Sequence, residues 1–257
     1  MGNTLAFKIL IGGLRSYTDN FRFFFRISLP WLILCLPVYW VVRDYLLVHP
    51  LHDNGVNLNV RSMMIEMLLP LILSIAFASI AVSWHRHILS RARTPLLVFD
   101  SAVRRYWWNG VAIALIAAVV AIPVVLIVLA LNAVLGAAAN TVTLIAVYVI
   151  IILIVYRLSI KLPALAIGRL SYGFKNSWND TKGQTWQFLI LGTVLAFIGK
   201  LVASIEQLAE NRLPLMDSFL VHYALISVEP VIELVFAGLG VSILTYTYAY
   251  FAENKEL

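Results

Sequence analysis

Six long stretches of apolar residues, separated by short polar segments, dominate the hydrophobic pattern of the chain. Each stretch contains about the 20 residues that an α-helix needs to cross the hydrocarbon core of a bilayer. The sequence therefore predicts six transmembrane helices, over residues 27–45, 63–84, 110–131, 140–156, 187–207 and 228–251. No charged side chain lies between Asn109 and Tyr156. We interpret this run as a hairpin of two helices that turns at Asn132, Gly136 and Asn140, since Gly and Asn favour helix ends.

Helices are expected for these stretches rather than β-strands. A spanning segment must satisfy its backbone hydrogen bonds internally, and the runs lack the in/out alternation of barrel strands. Composition agrees, because 61% of the residues are hydrophobic and 12% are charged, whereas soluble domains have about 25% charged residues. The sequence predicts one all-α domain over residues 1–257, a polytopic membrane helix bundle.

Charge alternates between successive connecting segments. Fifteen of the nineteen lysines and arginines lie in the segments on one side of the predicted bundle, and eight of the thirteen acidic residues lie on the other side. Because lysine and arginine set membrane orientation, both termini are predicted to be cytoplasmic in a bacterial inner membrane. The same bias accounts for the net charge of +6, so no nucleic-acid partner is expected.

Three basic amphipathic segments precede the predicted helical hairpins, at residues 4–25, 95–108 and 163–186. We expect them to lie in the plane of the lipid head groups. Three such units of about 80 residues indicate an internally duplicated fold. The alternative is that any basic cytoplasmic loop has this composition. Gly12 and Gly13 are interpreted as a flexible point in the first segment.

A cluster of charges is predicted near the outer face of the last two spans. Lys200 lies about 20 Å along the fifth helix by helical rise, and Glu229 and Glu233 are four residues apart on the sixth. With Glu206, they are candidates for a functional site, because ionisable groups within a membrane are costly. The structural alternative is that Lys200 extends outward and pairs with one carboxylate.

The basic segments supply a second group of candidate residues. Their cations are expected to contact anionic phospholipid head groups, each by about 1 kcal/mol. The candidate lipid contacts are Arg86, Arg91, Arg93, Arg104, Arg105, Arg157, Lys161 and Arg169. The leading hypothesis is a lipid-interacting scaffold or accessory component without catalytic activity. A small-solute transporter is the alternative, followed by a membrane enzyme on lipid substrates, and a homo-oligomer stays open.

Motifs for soluble-type catalysis are missing. The sequence contains no phosphate-binding glycine loop, no zinc-protease helix motif and no serine nucleophile elbow. We therefore predict no catalytic residue, no cofactor and no metal site. His49, His52, His85 and His87 are interpreted as interfacial histidines, and the single Cys35 allows no intramolecular disulfide.

Several short motifs carry a resemblance to a known group of proteins. They are Ser83-Trp84-His85-Arg86, Tyr156-Arg157-Leu158, Leu162-Pro163-Ala164-Leu165-Ala166, Trp107-Trp108 and Trp186. In this pattern the chain resembles bacterial six-helix integral membrane proteins that are similar to the membrane domain fused to glycerophosphodiester phosphodiesterases. The resemblance implies a six-helix membrane fold. No phosphodiesterase domain is present in these residues, so the resemblance implies no enzymatic activity.

Overall fold

The computed structural model of the protein describes residues 2–49, 52–53, 57–135, 137–210 and 219–253. Within these residues the chain forms nine α-helices and one short antiparallel hairpin. The helices are α1 (Gly2–Asp19), α2 (Phe21–Val48), α3 (Val60–Ser90), α4 (Ser101–Leu135), α5 (Ala137–Ser159), α6 (Lys161–Ala166), α7 (Phe174–Asp180), α8 (Thr185–Glu210) and α9 (Phe219–Ala252). The hairpin, β1 (His52–Asp53) and β2 (Asn57–Leu58), pairs His52 with Leu58 and Asp53 with Asn57.

The six long helices correspond to the six predicted spans. Among the described residues, α2, α3, α4, α5 and α9 each contain a segment long and apolar enough to cross a membrane. A sixth span is reached when α8 is counted together with α7, from which it is bent by 105°. The prediction of an all-α, polytopic helix bundle is therefore confirmed.

Two of the three residues predicted for the turn of the central hairpin are helical. Asn132 lies inside α4 and Asn140 inside α5, whereas the third residue, Gly136, lies outside the described residues. The Ala and Leu residues on both sides favour helix, so the helical segments extend past both asparagines.

The three basic segments have three different structures. The first forms α1 and the start of α2, which meet at Asn20. Most of the second belongs to α4, whose first turn is capped by Asp100 through bonds from Ala102 N (2.9 Å) and Val103 N (3.1 Å). The third contains α7 and most of α6. The internal duplication stays a prediction.

Gly12 and Gly13 are a close contact between helices, which corrects their interpretation as a flexible point. A Cβ on Gly12 would lie 2.4 Å from the Tyr246 ring, and one on Gly13 would lie 2.7 Å from the Ile243 side chain. The Ser242 hydroxyl also donates a 2.8 Å hydrogen bond to the Gly13 carbonyl. The missing side chains therefore let α1 pack directly on α9.

The main core is built mostly by α2, α3 and α4, with smaller contributions from α1, α5, α6 and α9. Trp84 of α3 is fully buried, with the rings of Tyr17 and Phe24 within 6.0 Å of its own. The opposite surface of the bundle is apolar and uncovered. Along α4 the exposed residues repeat at helical spacing, as expected of a face against lipid. These residues are Leu115, Val119, Ile122 and Leu126.

Candidate functional site: two cavities and a basic end

A cavity of about 720 Å³ lies between α2, α3, α8 and α9. We call it the charged cavity, because Arg43, Glu66, Glu229 and Glu233 all line it. The remaining wall is mainly aliphatic and aromatic. The cavity therefore combines apolar surface with a few ionisable groups in the half of the bundle away from the basic segments.

An ion pair joins two helices in the charged cavity. Arg43 Nη2 of α2 lies 2.7 Å from Glu229 Oε2 of α9, and both side chains are about three-quarters buried. A second bond between the same helices, from Trp40 Nε1 to Ser227 Oγ (2.9 Å), fixes their register. Charge-assisted bonds of this kind are about twice as strong as neutral ones. The pair therefore holds α2 against the entry of α9.

The structure brings together half of the predicted charge cluster. Glu229 and Glu233 share the cavity. Lys200 is exposed and forms no ion pair with a described residue, and the Glu206 side chain lies outside the described residues. Their predicted meeting with the two carboxylates stays untested. The sequence places Arg43 on the same predicted side of the membrane as this cluster. Sequence reasoning did not identify it as the partner of Glu229.

The opposite end of the bundle collects the basic residues, and we call it the basic end. It is formed by the start of α2, the end of α3 and the start of α4. Phe23 and His87 stack there with ring centroids 3.7 Å apart, and Arg86 Nη1 pairs with Asp100 Oδ2 at 2.7 Å. These contacts show that segments distant in sequence share one end of the protein.

Four of the predicted lipid contacts are held by partners within the protein. Arg86 donates from Nε to the Ala166 carbonyl (2.9 Å) besides pairing with Asp100. Arg169 Nη1 pairs with Glu253 Oε1 at 3.1 Å. The other two are Arg157 and Lys161. These four side chains stabilise the packing of the helix ends.

The remaining predicted contacts differ in exposure. Arg91, Arg93 and Arg104 are exposed, whereas Arg105 is half-buried and donates from Nη2 to Ser101 Oγ at 3.1 Å. Arg91 adopts a left-handed backbone conformation (φ 51°) that ends α3. Three of the eight predicted contacts are therefore exposed on the protein surface.

The pKa of Asp100 reflects its position at the basic end. Partial burial acts to raise it, but hydrogen bonds from Arg86 and from the backbone amides of Val103 and Ala102 outweigh that effect. The pKa of Asp100 therefore lies below its usual value. The carboxylate stays charged at neutral pH and joins the end of α3 to the start of α4.

Arg157, near the end of α5, and Lys161, at the start of α6, are both held by neutral groups. Arg157 donates to Thr181 Oγ1 (2.8 Å) and to the Trp178 carbonyl (2.9 Å), and its guanidinium lies 3.8 Å from the Trp178 ring centroid. Lys161 Nζ donates to Asn109 Oδ1 at 2.6 Å. Neither cation pairs with a carboxylate among the described residues.

A second cavity of about 520 Å³ lies between α3, α4, α5 and α9. Its wall is nearly all apolar, and we call it the apolar cavity. It meets the charged cavity at Ser74, Phe77 and Ala237, which line both. The two cavities therefore adjoin each other at these three residues.

His85 is buried in a polar network beside the core, which corrects its interpretation as an interfacial histidine. Its Nδ1 lies 2.8 Å from Thr245 Oγ1, and its Nε2 lies 3.2 Å from the Tyr106 hydroxyl. Thr245 donates its own proton to the Val241 carbonyl (2.7 Å), so it must accept from His85 Nδ1–H. Both ring nitrogens are therefore satisfied in the neutral form, and the network joins α3, α4 and α9.

Among the described residues, no group of three or more His, Cys, Asp or Glu side chains is arranged to hold a metal ion. Comparisons with protein-family models, with curated proteins and with solved structures give no match to this chain. A function for the chain is therefore inferred from the two cavities and the basic end.

Proposed function

We propose that this chain is a multi-pass protein of the bacterial inner membrane that binds anionic phospholipids as a scaffold or accessory component, with both termini in the cytoplasm. The supporting observation is a set of exposed guanidinium groups at the basic end. None of them pairs with a carboxylate among the described residues. The set consists of Arg22, Arg26, Arg91, Arg93 and Arg104.

Position and neighbours favour lipid as the partner of these cations. The groups follow the ends of apolar helices, where the anionic head groups of the cytoplasmic leaflet lie. Exposed aromatic rings flank them, with Trp108 and Trp178 both more than two-fifths exposed. Tryptophan prefers this interface because its ring is apolar and its N–H can bond to water or head groups. The same end thus provides charge and interfacial anchoring.

Native mass spectrometry of gently solubilised protein tests the proposal. We expect retention of phosphatidylglycerol over phosphatidylcholine with the same chains. Arg93→Gln should weaken that preference about fivefold, since each cation contributes about 1 kcal/mol. Arg61→Gln is the control, because Arg61 is exposed at the other end of the bundle. Retention of anionic lipid no higher than its bulk abundance would remove the proposal.

Labelling of single cysteines tests the orientation. In a Cys35→Ala background, Arg93→Cys should react with an impermeant maleimide only after the cytoplasmic side is opened. Asn57→Cys should react in intact cells. The reverse pattern would invert the proposed topology.

Small-solute transport is a second candidate, favoured by the two cavities that meet at Ser74, Phe77 and Ala237. A path from one cavity to the other would have to open between these three residues. Solute flux into proteoliposomes that is impaired in Glu233→Gln would support transport. Equal flux in protein-free liposomes would exclude transport of the solutes tested.

A further inference from the structure

Two glycines line the apolar cavity and have open space beside them. Gly110 of α4 and Gly240 of α9 both line it, and a Cβ built on either residue meets no heavy atom within 4 Å. By contrast, a Cβ on Gly192, which packs α8 against α5, would lie 2.1 Å from Ile152. Gly110 and Gly240 therefore do not serve close helix contact. They border a cavity of about 520 Å³, which is within the usual size of a ligand pocket.

The cation Lys161 does not line this cavity itself but lies beside residues that do. Its neighbour Leu162 lines the cavity, and so does Ser159 two residues before it. Its Nζ bonds to Asn109, the residue next to Gly110. The ammonium group also lies 3.8 Å from the Phe174 ring centroid. A fixed positive charge thus borders an apolar space.

Charge balance points to an anion at this position. Lys161 and Arg157, four residues apart in sequence, both bond to neutral oxygens and contact aromatic rings, and neither has a carboxylate partner among the described residues. Two like charges near hydrocarbon are costly without compensation. An anionic head group would offset that cost, and its hydrocarbon chain would find an apolar wall directly beside it.

We propose that the apolar cavity holds one acyl chain of an anionic phospholipid whose phosphate is bound by Lys161. This inference rests on the proposed function and assigns it a specific site inside the bundle. The chain would pass between Gly110 and Gly240 toward the middle of the bundle. The exposed arginines would attract lipid in general, whereas this cavity would retain one molecule.

Side chains at the two glycines test the cavity. Gly240→Leu and Gly110→Leu project into the empty space, and each replaces a poor helix former with a good one, so the fold should be kept. We expect each to reduce retained phosphatidylglycerol about tenfold, a change of about 1.4 kcal/mol. Gly199→Leu is the matched control, because Gly199 is equally open but lines the charged cavity.

Charge substitution tests the head group. Lys161→Gln should lower affinity for phosphatidylglycerol about fivefold and leave phosphatidylcholine unchanged. Lys175→Gln, at an exposed lysine of α7, is the control. Size-exclusion profiles and thermal stability of every variant show whether the protein is folded.

The outcomes separate the two proposals. If the parent protein retains no anionic lipid, the proposed function fails together with the cavity site. If the parent retains it and both leucine variants retain as much, lipid binds only outside and the cavity inference is overturned. Retention of fatty acid in place of phospholipid also overturns it. Loss in both leucine variants with retention in Gly199→Leu supports it.

Discussion

The ion pair between Arg43 and Glu229 gives a measurable test of how the helices around the charged cavity are held together. The perturbation is a double-mutant cycle of Arg43→Gln and Glu229→Gln. With N and O 2.7 Å apart, the direct attraction is about 6 kcal/mol at an effective dielectric constant of about 20. Desolvation of both groups offsets part of this attraction. We therefore expect a coupling free energy of about 2 kcal/mol.

The assay is equilibrium unfolding in detergent, with the free energy of unfolding measured for the parent, both single variants and the double variant. Either single variant leaves one partly buried charge without this partner, which should destabilise the protein by about 3 kcal/mol. The double variant should be less destabilised than the sum of the two. Other contacts of Arg43 cancel in the cycle.

A second double-mutant cycle tests the pairing of Lys200 with Glu229, which the sequence suggested. Lys200→Gln combined with Glu229→Gln should give effects that add within about 0.5 kcal/mol, because Lys200 is exposed and forms no ion pair with a described residue. Additive effects of Arg43 and Glu229, together with coupling of Lys200 to Glu229, would refute the reasoning from the structure.

Two further predictions concern other parts of the bundle. Gly12→Leu should destabilise the protein by about 1–3 kcal/mol, since its Cβ would lie 2.4 Å from the Tyr246 ring; thermal unfolding checks this, with Gly199→Ala as a neutral control. The lowered pKa of Asp100 stabilises the fold above its unfolded pKa, and this contribution is lost as the pH falls through the folded pKa. Asp100→Asn should therefore weaken the pH dependence of the free energy of unfolding in the acidic range. An unchanged pH dependence in that range would contradict this prediction.

Candidate site residues were predicted with uneven success, for a physical reason that differs between residues. Glu229 and Glu233 were identifiable because two carboxylates one turn apart in an apolar helix carry a high desolvation cost wherever that helix packs. The sequence identified Arg43 only as one of the cations predicted to lie on the side of the bundle opposite the termini. Its contact with Glu229 depends on α2 lying next to α9, and no local pattern encodes that neighbourhood.

The basic end shows the same division. Sequence reasoning placed eight cations on one side of the membrane. Which of them are used internally depends on tertiary contacts such as Arg86 with Asp100, or Arg169 with Glu253. The first pair is 14 residues apart in sequence and the second is 84 residues apart. Such pairs require the ends of several helices to be assembled first.

The class of fold and a count of five to six spans could be predicted from the sequence. Both follow from the length of apolar runs, because the transfer of a helix into hydrocarbon is a local sum over its own residues. The packing of the helices places Gly12 in close contact with Tyr246 and leaves open space beside Gly240, although both are glycines in apolar helices. Packing also sets where the cavities lie and which residue pairs with Glu229. These properties depend on which helices become neighbours and on how each is rotated, and packing sets both.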